Sequence, residues 1–138
     1  MADKSITGSC LCGALRYEAK ADPVAMGYCC CDDCQKASGS GFIPWMFFPA
    51  GALKVSGPYR LYRMTHADGR TSERYSCAEC ASLEFGGEPG NPNGNTVYAG
   101  TLDDTALFRP SMAIMTKFKP DWVILPPGIT QFEAMPPR

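Results

Sequence analysis

Apolar and polar residues alternate along several short stretches of this chain, and a period of two is the signature of strands with one face buried. Leu15-Arg16-Tyr17-Glu18-Ala19 alternates in this way, Phe42 to Phe48 is a continuous apolar run, and Leu53-Lys54-Val55 leads through Gly57-Pro58 into Tyr59 to Met64. Asp68-Gly69 is a hairpin signal that pairs that strand with Thr71 to Ser76. Further strands are expected at Leu83 to Phe85, Thr96 to Ala99, Met112 to Met115 and Trp122 to Leu125. Only Asp32 to Ser38 reads as helix. Twelve prolines and 14 glycines punctuate the rest too often for long helices. The stretch Gly86 to Asn95, GGEPGNPNGN, is expected to be an exposed hairpin connection that packs little. The fold class is therefore mainly β, with little helix.

At 138 residues and 45% hydrophobic content, the chain is expected to form a single domain over residues 1–138 with a modest core. Its 13 basic residues against 14 acidic ones offer no general attraction to phosphate backbones or anionic membranes. A nucleic-acid partner is not expected. MADKSITGSC at the N-terminus lacks an apolar leader segment, and the longest apolar run, Phe42 to Leu53, is broken by Pro44 and Pro49. We therefore expect no membrane association and a cytoplasmic location. A reducing compartment makes metal binding or catalysis the leading use for eight cysteines, ahead of disulfides.

Seven of those cysteines fall into three pieces: Cys10-x-Cys12, Cys29-x-Cys31-x-x-Cys34 and Cys77-x-x-Cys80. Zinc prefers four tetrahedral ligands, and two cysteines a few positions apart supply two thiolates from one tight turn. Cys10, Cys12, Cys77 and Cys80 together would complete one structural zinc and clamp the N-terminal segment to the hairpin that ends near Cys77. Cys29, Cys31 and Cys34 would offer three thiolates to a second zinc and leave its fourth position open, as in a working site. A metal held by three thiolates is a poor source of hydroxide and a good carrier of an incoming thiol in its deprotonated form. The spacing thus points to a thiolate that adds to a carbonyl or leaves a thio-adduct, with Cys29, Cys31 and Cys34 at the catalytic centre.

Cys30 interrupts this arithmetic. In an extended turn it points away from the side shared by Cys29 and Cys31. If it turned round and bound, the second site would close, and the chain would be a non-catalytic zinc-stapled module. A free thiol open to reversible oxidation and a small buried filler are its other readings.

These pieces, in this order, resemble the glutathione-dependent formaldehyde-activating enzymes and their centromere-protein V relatives. The match is carried by GSCLCGALRY at Gly8 to Tyr17, YCCCDDCQKASG at Tyr28 to Gly39, Arg74-Tyr75-Ser76-Cys77-x-x-Cys80, and AGTLDD at Ala99 to Asp104, with Pro110 and Trp122 fitting the tail. The resemblance implies small antiparallel sheets in a β-tent-like, zinc-stapled domain. It also implies a structural zinc on Cys10, Cys12, Cys77 and Cys80 and a second on Cys29, Cys31 and Cys34. The activity it implies takes the thiol of glutathione and adds it to formaldehyde, a carbon–sulfur lyase reaction run in reverse. The chain departs from the family pattern at four places: Cys30 stands where His is usual, Ser76 where Phe is usual, Ala81 where Gly is usual, and Ala113 where His is usual.

The remaining candidates read more plainly. His66, the only histidine, sits beside the Asp68-Gly69 turn and reads as a surface residue. Asp32 and Asp33 complement the dipole of a short helix before they are proton relays. Lys36, Arg70, Arg74 and Lys117 are the cations available to the carboxylates of glutathione, with a solvated surface charge as the plain reading of each. Trp45, Phe47, Phe48 and Trp122 read as core or sheet-face residues ahead of substrate stackers.

Overall fold

In the computed structural model, which describes residues 5–136, the alternating stretches are strands. They run β1 (Ile6–Ser9), β2 (Arg16–Ala19), β3 (Ala25–Cys29), β4 (Ile43–Phe48), β5 (Leu53–Ser56), β6 (Tyr59–Thr65), β7 (Thr71–Cys77), β8 (Leu83–Gly86), β9 (Asn95–Tyr98), β10 (Met112–Ile114) and β11 (Thr130–Gln131). The helix α1 spans Asp32–Ser38. Met1 to Lys4 and the last two residues lie outside the described residues, and so do those parts of the expectations about the leader and about a domain over 1–138.

Two sheets form. β1, β2 and β5 make a small antiparallel sheet, and the others make an eight-stranded sheet in the order β11-β10-β3-β4-β9-β8-β7-β6. Alternation decides what lies between them. Tyr17, Ala19 and Leu53 of the small sheet, with Leu15 just before β2, meet Met46, Phe48, Tyr75, Phe85 and Val97 of the large one, all buried in a single cluster. Tyr75 and Phe85 are register partners on β7 and β8, with rings stacked 4.7 Å apart. Because the period is two, the residues between these point to the opposite face of the large sheet. That face carries Cys29, Ile43, Trp45, Phe47, Thr96, Tyr98 and Arg74, and it is not covered by the small sheet.

The structure differs from the sequence reading in several places. Trp122 to Leu125 is not a strand: Val123 N donates to Pro120 O in a turn, and Pro126 and Pro127 follow directly, so the segment is bounded by prolines on both sides and has little length in which to extend a ladder. Val123 alone is buried there, while Trp122 is 71% exposed. β10 ends one residue early because Met115 adopts a left-handed conformation (φ 57°). Not every pairing is antiparallel, since β10 runs parallel to both β3 and β11. Within the Gly86 to Asn95 connection, the buried Asn95 side chain donates to Gly87 O and Glu88 O, so the far end of the loop is tied to its beginning. Among the described residues, no helix is long and apolar enough to cross a membrane.

Candidate metal centres and the cavity beside them

Seven cysteines gather into two groups, Cys10/Cys12/Cys77/Cys80 and Cys29/Cys31/Cys34, with all sulfurs in each group within 4.8 Å of one another. Zinc–thiolate bonds of about 2.3 Å in a tetrahedron require sulfur–sulfur edges of about 3.8 Å. The observed separations fit: Cys10–Cys12 is 3.6 Å, Cys12–Cys77 is 3.8 Å and Cys29–Cys31 is 3.5 Å. The all-thiolate donor sets suit a soft or borderline metal such as zinc.

Each half of the outer group is a turn built around sulfur. Between β1 and β2, Leu15 N donates to Cys10 Sγ at 3.3 Å, and Gly13 takes φ 83° to let the chain reverse. Between β7 and β8, Glu79 N and Cys80 N both point at Cys77 Sγ, and Ala81 N donates to Cys77 O. Here Ala81 occupies the left-handed region at φ 66°, which glycine adopts without penalty and alanine does not. The group therefore joins a turn of the small sheet to a turn of the large one.

The inner group lies where β3 runs into α1. Cys29 ends the strand, and Cys31 caps the helix, its sulfur accepting from Cys34 N at 3.3 Å. The Cys31 thiol is held well below its ordinary range, first by the hydrogen bond from Cys29, then by Cys34 and the helix-end amide, with help from Arg74. Cys29 is pushed up, first by that same bond, then by Cys34 and by burial. Cys30 behaves as alternation requires: it is fully buried, its N–H donates to Ile114 O, and it does not join the group. Among the described residues, no other Cys, His, Asp or Glu joins these three.

Beside the inner group opens a cavity of about 510 Å³ on the uncovered face of the large sheet. Its wall is a set of cross-strand rows. One row runs Met112, Gly27, Trp45, Tyr98; the next runs Ala25, Phe47, Thr96, Gly86, Arg74; Cys29 pairs with both Ile43 and Ile114. Gly27 leaves the space that the Trp45 indole fills, since a Cβ there would lie 2.9 Å from Trp45 Cζ2 and 2.6 Å from Met112 O.

Of the four candidate cations, only Arg74 reaches this site, with Nη2 3.9 Å from Cys34 Sγ. Arg70 pairs with Asp68 at 2.9 Å in the hairpin turn, Lys117 lies over the Phe118 ring, and Lys36 projects from α1 as an exposed residue. Asp32 and Asp33 occupy the first turn of α1, the position that complements its dipole. His66 is half-buried rather than a free surface residue, hydrogen-bonded to Ser72 at 2.7 Å. Trp45 and Phe47 are sheet-face residues, and their face proves to be the cavity wall. Tyr98, on β9, went unrecognised in the sequence; burial pushes its hydroxyl up to about 12 and so keeps it protonated. Strand parity carries part of that signal, since Tyr98 must face away from the buried side of Val97, and the pairing of β9 with β4 then sets it beside Trp45.

A sequence model of the family described as glutathione-dependent formaldehyde-activating enzyme matches residues 5–118. The chain belongs to this family. Membership connects it to glutathione- and formaldehyde-related chemistry. Both cysteine groups fall inside the matched region. A crystal structure of a Rhodobacter sphaeroides protein shares the fold, with a TM-score of 0.53 at 16% identity, covering 91% of this chain and 98% of that one. Among curated proteins none matches.

Proposed function

We propose that this chain binds a small thiol, glutathione or a close relative, at Cys29, Cys31 and Cys34, and adds it to or releases it from a carbonyl such as formaldehyde. The reaction is of the carbon–sulfur lyase type, and zinc is the metal proposed at both cysteine groups. The observation that carries this reading is an incomplete ligand set in a cavity: three sulfurs at tetrahedral spacing, two of them lining a space large enough for a thiol and its adduct. The burial of Cys30 supports it over a closed, purely structural site.

Zinc bound there would supply a position for the incoming thiol and keep it deprotonated at neutral pH. The protein's own groups do the rest. Arg74 sets a fixed positive charge beside Cys34, which favours anionic sulfur in the site. Addition forms one bond from thiolate sulfur to carbonyl carbon, and the carbonyl oxygen takes up one proton. Tyr98, protonated and on the cavity wall, is the neutral donor we assign to that oxygen. The apolar wall keeps water from competing for the carbonyl.

The test is metal content together with a thiol titration. Zinc-loaded protein should hold two ions per chain, and cobalt replacement should give two thiolate-rich centres, one of which changes its spectrum when glutathione is added. A single ion, or two centres indifferent to thiol, would remove the reading.

A further inference from the structure

Formaldehyde is a single carbon with an oxygen, and it leaves most of a wall untouched. The wall around Cys29 is apolar: Ile43 and Ile114 flank the cysteine as its register partners, and Trp45, Phe47, Met112 and Met135 extend the surface outward. Charge in the lining is sparse. Arg74 is beside Cys34, and Glu73 is bound to Arg63 at 2.8 Å, so the lining offers one guanidinium that has no carboxylate partner among the described residues. A tripeptide thiol with two carboxylates can satisfy one of them there, and its polar remainder must stay near the mouth. Neither such a thiol nor formaldehyde carries a hydrocarbon group complementary to the wall made by Trp45 and Phe47. Burial of apolar surface is the dominant favourable term in a site of this kind, and this lining is complementary to a hydrocarbon group of the size of a ring.

We infer that the substrate of this site is the adduct of a thiol with an aromatic or branched aliphatic aldehyde, a hemithioacetal whose hydrocarbon part packs on Trp45 and Phe47. This rests on the proposed reading of Cys29, Cys31 and Cys34 as the thiol-binding group. The chemistry balances without a further reactant. In the release direction the carbon–sulfur bond breaks, the sulfur keeps the electron pair as thiolate, the adduct's hydroxyl passes its proton to water at the cavity mouth as its carbon–oxygen double bond forms, and the aldehyde departs.

Trp45 reports on its own wall. The chain has two tryptophans, and the other, Trp122, is 71% exposed and outside the cavity lining, so Trp122→Phe leaves Trp45 as the sole emitter. Zinc-loaded Trp122→Phe protein is titrated with S-benzylglutathione and with S-methylglutathione. The expected result is a change in Trp45 emission and binding of the benzyl compound tighter by about tenfold or more, since even one methylene in an apolar pocket is worth about tenfold. Phe47→Ala should shrink that ratio. Equal affinity for the two compounds, or a Trp45 signal that responds to neither, overturns the inference. In parallel, aldehyde exchange is followed by NMR with formaldehyde and with benzaldehyde in the presence of glutathione. Faster exchange with benzaldehyde supports the inference. Exchange with formaldehyde alone, joined to equal affinities, overturns the substrate class and leaves the reaction standing. Selective benzyl binding with no exchange of either aldehyde overturns the reaction and leaves the ligand class standing.

Discussion

Arg74 on β7 and Cys34 on α1 are forty residues apart in sequence, and the arginine's Nη2 lies 3.9 Å from the cysteine's sulfur. The contact brings a permanent cation to a group of three thiols, and although burial opposes the guanidinium's charge, the sulfur of Cys34 favours it. A lysine could carry the charge but not the planar fork that faces both sulfur and phenol. Arg74→Gln is expected to lower kcat/KM for an anionic thiol by about tenfold to a hundredfold, the worth of one charge-assisted contact. Metal content should stay unchanged, and Arg74→Lys should recover part of the loss. Steady-state kinetics alongside metal analysis of the three proteins checks this.

The two cysteine groups should differ in what their loss does. Cys12 and Cys77 are 65 residues apart, so a metal on the outer group closes a long loop and joins two sheets, whereas the inner group closes a stretch of six residues. Cross-links that close longer loops remove more entropy from the unfolded chain. Cys77→Ser is expected to lower Tm by roughly 10–20 °C, which is about 3–5 kcal/mol for a domain of this size. Cys31→Ser should release one metal and abolish the response to thiol while leaving Tm much closer to the parent. Calorimetry with metal counting decides between this order and its reverse.

Ala81 is a residue in the wrong conformation for its type. Its φ of 66° lies in the left-handed region, its side chain is exposed, and its N–H is needed to close the Cys77–Cys80 turn. The methyl group therefore strains the turn without packing on anything that offsets it. Ala81→Gly is expected to raise stability by about 1 kcal/mol, the left-handed penalty less the added freedom of glycine in the unfolded chain. Thermal or urea unfolding of the metal-loaded protein measures it, and an unchanged or lower midpoint would show that the turn is not strained at this position.

Local chemistry was legible in the sequence, and long-range register was not. The helix at Asp32 to Ser38 and the hairpin at Asp68-Gly69 are written in adjacent residues, so both could be read directly. The two cysteine groups could be read because a metal's ligand count imposes arithmetic on spacing. β3 was missed because Ala25-Met26-Gly27-Tyr28-Cys29 shows no clean alternation: one of its faces is the cavity floor, where a glycine makes room for Trp45. The Trp122 to Leu125 segment looked like a strand by composition, and only the prolines around it decide otherwise. The cavity itself depends on which strands are neighbours. Once β4 lies between β3 and β9, parity puts Trp45, Phe47, Tyr98 and Cys29 on one face, but the order of strands is a property of the whole chain.

Glu84 is a charge in the wrong place, and its position has a consequence for pH. It stands on β8 with no solvent exposure, and neither carboxylate oxygen has a hydrogen-bond partner among the described residues. Burial raises its pKa from 4.5 to about 7, the nearby Cys80 adds to the rise, and Arg16 only partly opposes it. Between those two values the folded protein keeps a proton that the unfolded chain releases, so stability falls as pH rises from about 4.5 towards about 7. Glu84→Gln keeps the shape and removes the titration. The variant should match the parent near pH 5 and exceed it near pH 8 by roughly 2 kcal/mol, a shift of this kind discounted for relaxation around the carboxylate. Metal release at low pH acts on both proteins alike, so it is the difference between their urea midpoints across the range that carries the answer. A pH-independent difference would mean that Glu84 is already ionised in the folded state and has found a partner for its charge.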